Sequence, residues 1–95
     1  ILAHWGGGFL FYELMPEVAK AAEKVYYDTA ASIFLYTHKI YPVAVKTIGP
    51  DKILFGTDYP LIDQRRYRKQ IENCGLSQEE IDKIYGENAK RLLRL

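Results

Sequence analysis

Cysteine, methionine and tryptophan occur once each in the 95 residues, and histidine only twice. A single cysteine, Cys74, can form neither an internal disulfide nor a cysteine metal cage. A lone thiol fits a reducing, cytoplasmic setting. Cys74 lies between Asn73 and Gly75 at an expected helix end, with no histidine close in sequence, so a structural role is expected rather than a nucleophilic one. No apolar run approaches the roughly 20 residues that a membrane-spanning helix needs, and no signal-peptide pattern is present. Charge of one sign is also lacking: 13 basic residues face 12 acidic ones, for a net charge of +1. Nothing in that balance draws nucleic acid or an anionic membrane by bulk field, and neither is an expected partner. The one basic cluster, Arg65-Arg66-Tyr67-Arg68-Lys69, has no interleaved stacking partners and reads as a solvated helix face. The sequence opens on Ile1-Leu2-Ala3-His4 with no lead-in, as a fragment starting inside a strand would.

What is present points to a folded α/β chain. Hydrophobic residues make up 48% and charged residues 26%, which argues against disorder. Strand candidates lie at Ile1–His4, Val25–Ala30 and Lys52–Thr57, their starts 24 and 27 residues apart. A helical stretch follows each. The first lies within Leu10–Lys24, with Pro16 in its first turn and Leu14, Val18, Ala21, Ala22 and Val25 at helical spacing. Lys39–Ile48 ends before Gly49-Pro50, and Gln64–Cys74 ends on Gly75 as a left-handed cap. Ser77 and Glu80 form a capping box for a helix that ends at Tyr85-Gly86. A last helix, Asn88–Leu95, turns Ala89, Leu92, Leu93 and Leu95 toward the core. Strands alternating with helices predict a parallel sheet. Three parallel strands leave two bare edges, so the chain is expected to associate with further barrel strands or with copies of itself.

Ile53-Leu54-Phe55-Gly56-Thr57-Asp58-Tyr59-Pro60 is the most pointed segment. Its apolar run delivers one carboxylate, Asp58, to the carboxyl end of a buried strand, the edge where parallel α/β folds bind ligands. A carboxylate there suits metal ligation or general base work; capping of the following turn is the plainer alternative. His4 follows its own strand and precedes Gly6-Gly7-Gly8. It is either a packed or surface histidine, or one half of a metal or acid–base pair with Asp58. Trp5 and Tyr59 flank the two and could line a substrate pocket or pack in the core. His38, at a helix start, reads as solvent-exposed. Asp28, alternating with Tyr26 and Ala30, reads as a buried, hydrogen-bonded structural aspartate.

The ordered set His4-Trp5-Gly6-Gly7-Gly8, Val25 to Ser32, Ile53 to Pro60 and Gly86-Glu87-Asn88-Ala89-Lys90-Arg91-Leu92-Leu93 resembles the C-terminal third of an amidohydrolase-related (amidohydrolase family 2) TIM barrel. The resemblance covers essentially the whole chain. It implies about three strand–helix units of a (β/α)8 barrel with extra C-terminal helices. It implies a metal-dependent hydrolase acting on an amide, ester or lactone of a small molecule, or a decarboxylase of the aminocarboxymuconate-semialdehyde type. His4 and Asp58 would be both catalytic residues and metal ligands, and Asn88-Ala89-Lys90-Arg91-Leu92 would be structural. The implied cofactor is a divalent metal, zinc first. The family's His-x-His pair and its further histidine have no counterpart here, so the metal site is incomplete and this chain alone is expected to be inactive. The rival from another class is a small, non-catalytic α/β module that assembles or binds through its sheet edges.

Overall fold

Parallel pairing organises the chain. In the computed structural model, which describes residues 1–95, Leu2 bridges Tyr27 in parallel. Strand β1 (Tyr27–Asp28) then pairs in parallel with β2 (Ile53–Leu54), Tyr27 opposite Ile53 and Asp28 opposite Leu54. The segment around β1 therefore lies between the other two, the order that successive right-handed crossovers produce. Pairing is shorter than the expected strand spans. The ladder stops early because the Thr29 side chain replaces it: its hydroxyl donates to the Gly56 carbonyl at 2.7 Å and accepts the Gly56 amide at 3.0 Å.

Helices follow each strand, with several departures from expectation. Ala3–Leu14 forms 3-10 turns, interrupted by positive φ from His4 to Gly8. Helix α1 (Pro16–Ala21) starts on Pro16, where the missing amide costs nothing. It has only six residues and buries none of them. The expected stripe is thus not a core face: Leu14 is exposed, and Ala22, just past the helix, is the one member that is buried. The 3-10 segment fills the core instead, through Trp5 and Leu10. A short helix that the sequence did not suggest, α2 (Ser32–Leu35), precedes α3 (Ile40–Ile48), which buries Ile40, Tyr41 and Ala44. Helix α4 (Gln64–Glu72) is capped by Asp63, whose carboxylate accepts the Arg65 amide at 2.8 Å, and it buries Tyr67 and Ile71 four residues apart. Gly75 takes the left-handed conformation expected of it.

The C-terminal region corrects the sequence reading most. Helix α5 (Gln78–Asp82) opens on the reciprocal Ser77–Glu80 capping box. The chain does not stop at Gly86 but continues through a π turn, Lys83–Glu87, into α6 (Asn88–Leu92). The Ile84 carbonyl in that turn accepts the Phe55 amide at 3.1 Å, so the widened turn extends the pairing of β2. Leu93 and Leu95 are exposed rather than in the core, and Ala89 and Leu92 are only half-buried. Asn88 points inward in their place. Fully buried, it donates from Nδ2 to the Pro50 carbonyl at 2.6 Å and the Ile53 carbonyl at 2.8 Å, fixing the entry to β2. On the same amino side of the sheet, the buried Glu13 carboxylate accepts both the Tyr27 hydroxyl and Lys52 Nζ, the latter at 2.7 Å.

Asn88→Ala leaves two carbonyl groups without their donor at a buried site. It is expected to lower stability by about 2–3 kcal/mol, read from the urea midpoint, because unpaired buried acceptors cost about 1–3 kcal/mol. A midpoint equal to that of the parent would contradict the role given to Asn88.

Candidate functional site

Backbone strain concentrates at the carboxyl ends of the strands. His4 (φ 40°), Trp5 (φ 62°), Ala31 (φ 57°) and Asp58 (φ 62°) are non-glycine residues in the left-handed region, two beyond the first paired segment and one beyond each of the others; Arg94 (φ 60°), after α6, is the fifth such residue. That conformation costs an L-residue about 1–2 kcal/mol, and such residues gather where function requires a fixed geometry. The turn after His4 also needs its glycine. Gly6 has φ +65°, and a Cβ on it would stand 3.0 Å from Phe9 Cβ and 3.1 Å from Leu2 Cδ1. Gly56 is different: a Cβ there would sit 3.6 Å from Asp28, in ordinary contact, so close approach is not what selects glycine at that position.

Asp28 ties the first two turns together. Its Oδ1 accepts the His4 amide at 2.8 Å and the Ala30 amide at 3.0 Å, which makes it the hydrogen-bonded structural aspartate the alternation suggested, half-buried rather than fully so. The third turn is capped by Thr57, not by Asp58: buried Thr57 accepts the Tyr59 amide on Oγ1 at 3.2 Å. The Asp58 carboxylate is left exposed, and the His4 imidazole is likewise exposed. Neither side chain is engaged in a hydrogen bond or ion pair within the chain. Both leave the same end of the sheet from its two outer strands, whose backbones stand about 10 Å apart at the usual spacing. An imidazole nitrogen and a carboxylate oxygen are suitable donors for a divalent cation. No group of three histidine, cysteine or carboxylate side chains comes together anywhere in the chain, so it supplies part of a ligand set.

Trp5 and Tyr59 separate. Trp5 is fully buried, donates from Nε1 to Ser32 Oγ at 2.8 Å and meets Tyr41 edge-on at 6.2 Å; core packing is its observed role. Tyr59 is 73% exposed beside Asp58. His38 is exposed as expected, lining a polar groove with Lys69, Gln70 and Asn73. The Cys74 thiol donates to the Ile71 carbonyl at 3.0 Å, and burial pushes it above the ordinary cysteine range, which makes it a poor nucleophile. Burial also raises Tyr41 to about 12, and its hydroxyl donates to Gln70 Oε1 at 3.1 Å, linking α3 to α4. The supporting hydroxyls Thr29, Ser32 and Thr57 were not anticipated. Their one sequence signal is position, each within a few residues of a strand's carboxyl end.

The amidohydrolase family model matches residues 1–95. Among solved structures, a dihydroxybenzoic acid decarboxylase from Polaromonas sp. JS666, with bound manganese and the inhibitor 2-nitroresorcinol, is 30% identical with a TM-score of 0.64. The match covers 74% of this chain and 20% of that one. A 2,6-dihydroxybenzoate decarboxylase complexed with 2,6-dihydroxybenzoate is 25% identical at a TM-score of 0.63, over 73% of this chain and 20% of its own. An amidohydrolase from Burkholderia multivorans with bound HEPES shares the fold over 99% of this chain and 44% of its own, with a TM-score of 0.74 at 17% identity. The chain thus spans about a fifth of the length of the decarboxylases it resembles. No curated protein sequence matches it.

If Asp28 acts as a hydrogen-bond acceptor and not as a charge, Asp28→Asn keeps Oδ1 and is expected to be close to neutral. Asp28→Ala is expected to cost about 1–2 kcal/mol, since both amides lose their acceptor. Equal losses in the two variants, measured by thermal unfolding, would move Asp28 from scaffold to functional charge.

Proposed function

The chain belongs to the amidohydrolase family, and from that membership we propose that it is the C-terminal part of a (β/α)8-barrel, metal-dependent enzyme that acts on a carboxyl or acyl group of a small molecule. The observation that supports the reading best is the pair His4 and Asp58. Each leaves the carboxyl end of a parallel strand in a strained left-handed turn, exposed and free of partners. In a barrel that edge is where catalytic groups gather. The non-catalytic alternative gives no reason to hold a histidine and an aspartate in costly conformations at one sheet edge.

Decarboxylation of an aromatic or unsaturated acid is favoured over hydrolysis by one comparison: the 30% and 25% identical relatives are both decarboxylases of dihydroxybenzoates. Hydrolysis of an amide, ester or lactone is the second reading, favoured by the family itself. A bound divalent ion would supply Lewis-acid polarisation of the substrate oxygens and, in hydrolysis, acidify a water. His4 and Asp58 fit such an ion by donor type, and the ligands still lacking would come from strands outside these 95 residues. Manganese accompanies the Polaromonas relative, so it stands beside zinc as the ion to test. The chain's own residues do the rest. Asp58 offers a carboxylate that holds or moves a proton at the reacting atom, and His4 orients and stabilises the charge that develops on the substrate. Tyr59, exposed beside Asp58, would contribute a wall of the substrate pocket. The open sheet edges pair with the remaining barrel strands.

The test uses the full-length gene product. Carbon dioxide release from 2,6-dihydroxybenzoate is compared with cleavage of a lactone, alongside metal content by elemental analysis. His4→Ala and Asp58→Asn are each expected to lower kcat by about 100-fold or more, the usual contribution of a positioned acid–base group. Parental turnover in both variants would remove the site assignment, and lactone cleavage without carbon dioxide release would favour the second reading.

A further inference from the structure

A small pocket in the helical layer has no part in the site described above, since neither His4 nor Asp58 lines it. It opens between the 3-10 segment and the start of α3, with a volume of about 190 Å³, and is lined by Phe11, Tyr36, Thr37, Lys39, Ile40 and Val43. Ile40 is part of the buried core and is the least exposed of the six. Phe11 and Val43, one from each element, are 40% and 42% exposed and form apolar walls open to solvent. A ligand with an apolar body gains by covering them, because that surface then leaves water. An apolar cavity of about 150 Å³ holds one benzene ring, so this pocket has room for a single ring with one small substituent.

The polar groups of the pocket suit an anion. Lys39 forms no ion pair, whereas Lys52, Lys83, Arg65, Arg68 and Arg91 each face a carboxylate within the chain. No acidic side chain lines the pocket, and the first turn of α3 carries none. Thr47, further along α3, satisfies its hydroxyl on the Val43 carbonyl at 2.7 Å, but the Thr37 and Tyr36 hydroxyls have no partner in the chain. One ammonium and two hydroxyls match a single negative charge shared by two oxygens. A dianion such as phosphate would keep half of its charge uncompensated, and a cation would meet Lys39 as a like charge.

We propose that this pocket binds a small apolar carboxylate, one ring or its equivalent in bulk. The apolar body lies between Phe11 and Val43 against Ile40, and the carboxylate pairs with Lys39 and accepts a hydrogen bond from Thr37 or Tyr36. Nothing in this inference uses the roles given to His4 and Asp58.

The experiment titrates the full-length protein, 13C-labelled at its isoleucine δ1 methyl groups, with benzoate, benzamide and benzylammonium. Ile40→Val assigns the Ile40 signal. Benzoate is expected to shift the Ile40 methyl saturably, with benzamide about tenfold weaker and benzylammonium not binding, because charge-assisted hydrogen bonds are roughly twice as strong as neutral ones. Lys39→Gln, at an exposed position, is expected to weaken benzoate about tenfold and to leave benzamide unchanged, which shows the pocket intact. Val43→Trp is expected to abolish the shift by filling the space between the walls. An Ile40 methyl unmoved by benzoate would overturn the proposal. So would benzamide or benzylammonium binding as tightly as benzoate, or parental benzoate affinity in Lys39→Gln. A benzoate shift that survives Val43→Trp arises at another site and overturns it as well.

Discussion

Strands two residues long offer few ladder hydrogen bonds, so the register of this sheet has to be held from outside the ladder. Side chains do that work at both ends. At the amino end, Asn88 reaches the carbonyls on either side of the turn into β2. At the carboxyl end, Asp28 gathers two backbone amides and Thr29 both donates to and accepts from Gly56. A one-residue slip would break all of these at once and turn Tyr27 and Ile53, both fully buried, to the other face. The three left-handed turns are tolerable because this scaffold over-determines them.

The two ends of the sheet are finished in opposite ways. At the amino end the polar groups close on themselves. Glu13 takes the Tyr27 hydroxyl and the Lys52 ammonium, and Lys52 also donates to the Ala22 carbonyl at 2.8 Å. Burial, reinforced by the Glu13 carboxylate, keeps Tyr27 protonated far beyond neutral pH, so the triad does not titrate through Tyr27 under ordinary conditions. At the carboxyl end Asp28 and Thr29 are satisfied by backbone groups, but two side chains stay open: His4 and Asp58 are exposed and unpaired. Satisfied groups at one end and available groups at the other are what separate scaffold from site in a parallel sheet.

Sequence reasoning reached features that depend on nearest neighbours. Pro16 at the first helical position, Gly75 as a left-handed terminator and the Ser77–Glu80 box each follow from local chemistry, and each is present. The buried run Ile53-Leu54 and the position of Asp58 just beyond it were also legible, because burial on both faces leaves a continuous apolar signature. What escaped depends on distant partners. Gly86 looks like a stop, yet Phe55 and Asn88 make the π turn worthwhile from elsewhere in the fold. Leu14, Leu93 and Leu95 look like core residues by periodicity and are exposed, while polar Asn88 takes the inward position because two carbonyls need it. Trp5 could not be divided between pocket and core until Ser32, 27 residues away, appeared as its hydrogen-bond partner.

The exposed apolar residues bear on how the site could be completed. Ile1, Phe11, Leu14 and Met15 are 72%, 40%, 68% and 42% exposed, all within the segment that begins at the outer Leu2 edge of the sheet. No helix here is long and apolar enough to cross a membrane. Single exposed apolar residues are ordinary, and only a contiguous apolar patch would mark an interaction surface. The segment adjoins the same sheet edge that holds His4, whose side chain lacks the further ligands a metal requires. A cover that buried Ile1 and Leu14 by extending the sheet in parallel past Leu2 would bring another strand's carboxyl end next to His4. Missing ligands and missing apolar contacts would then be supplied by one structural event, so metal binding should depend on the same contacts that stabilise the fold.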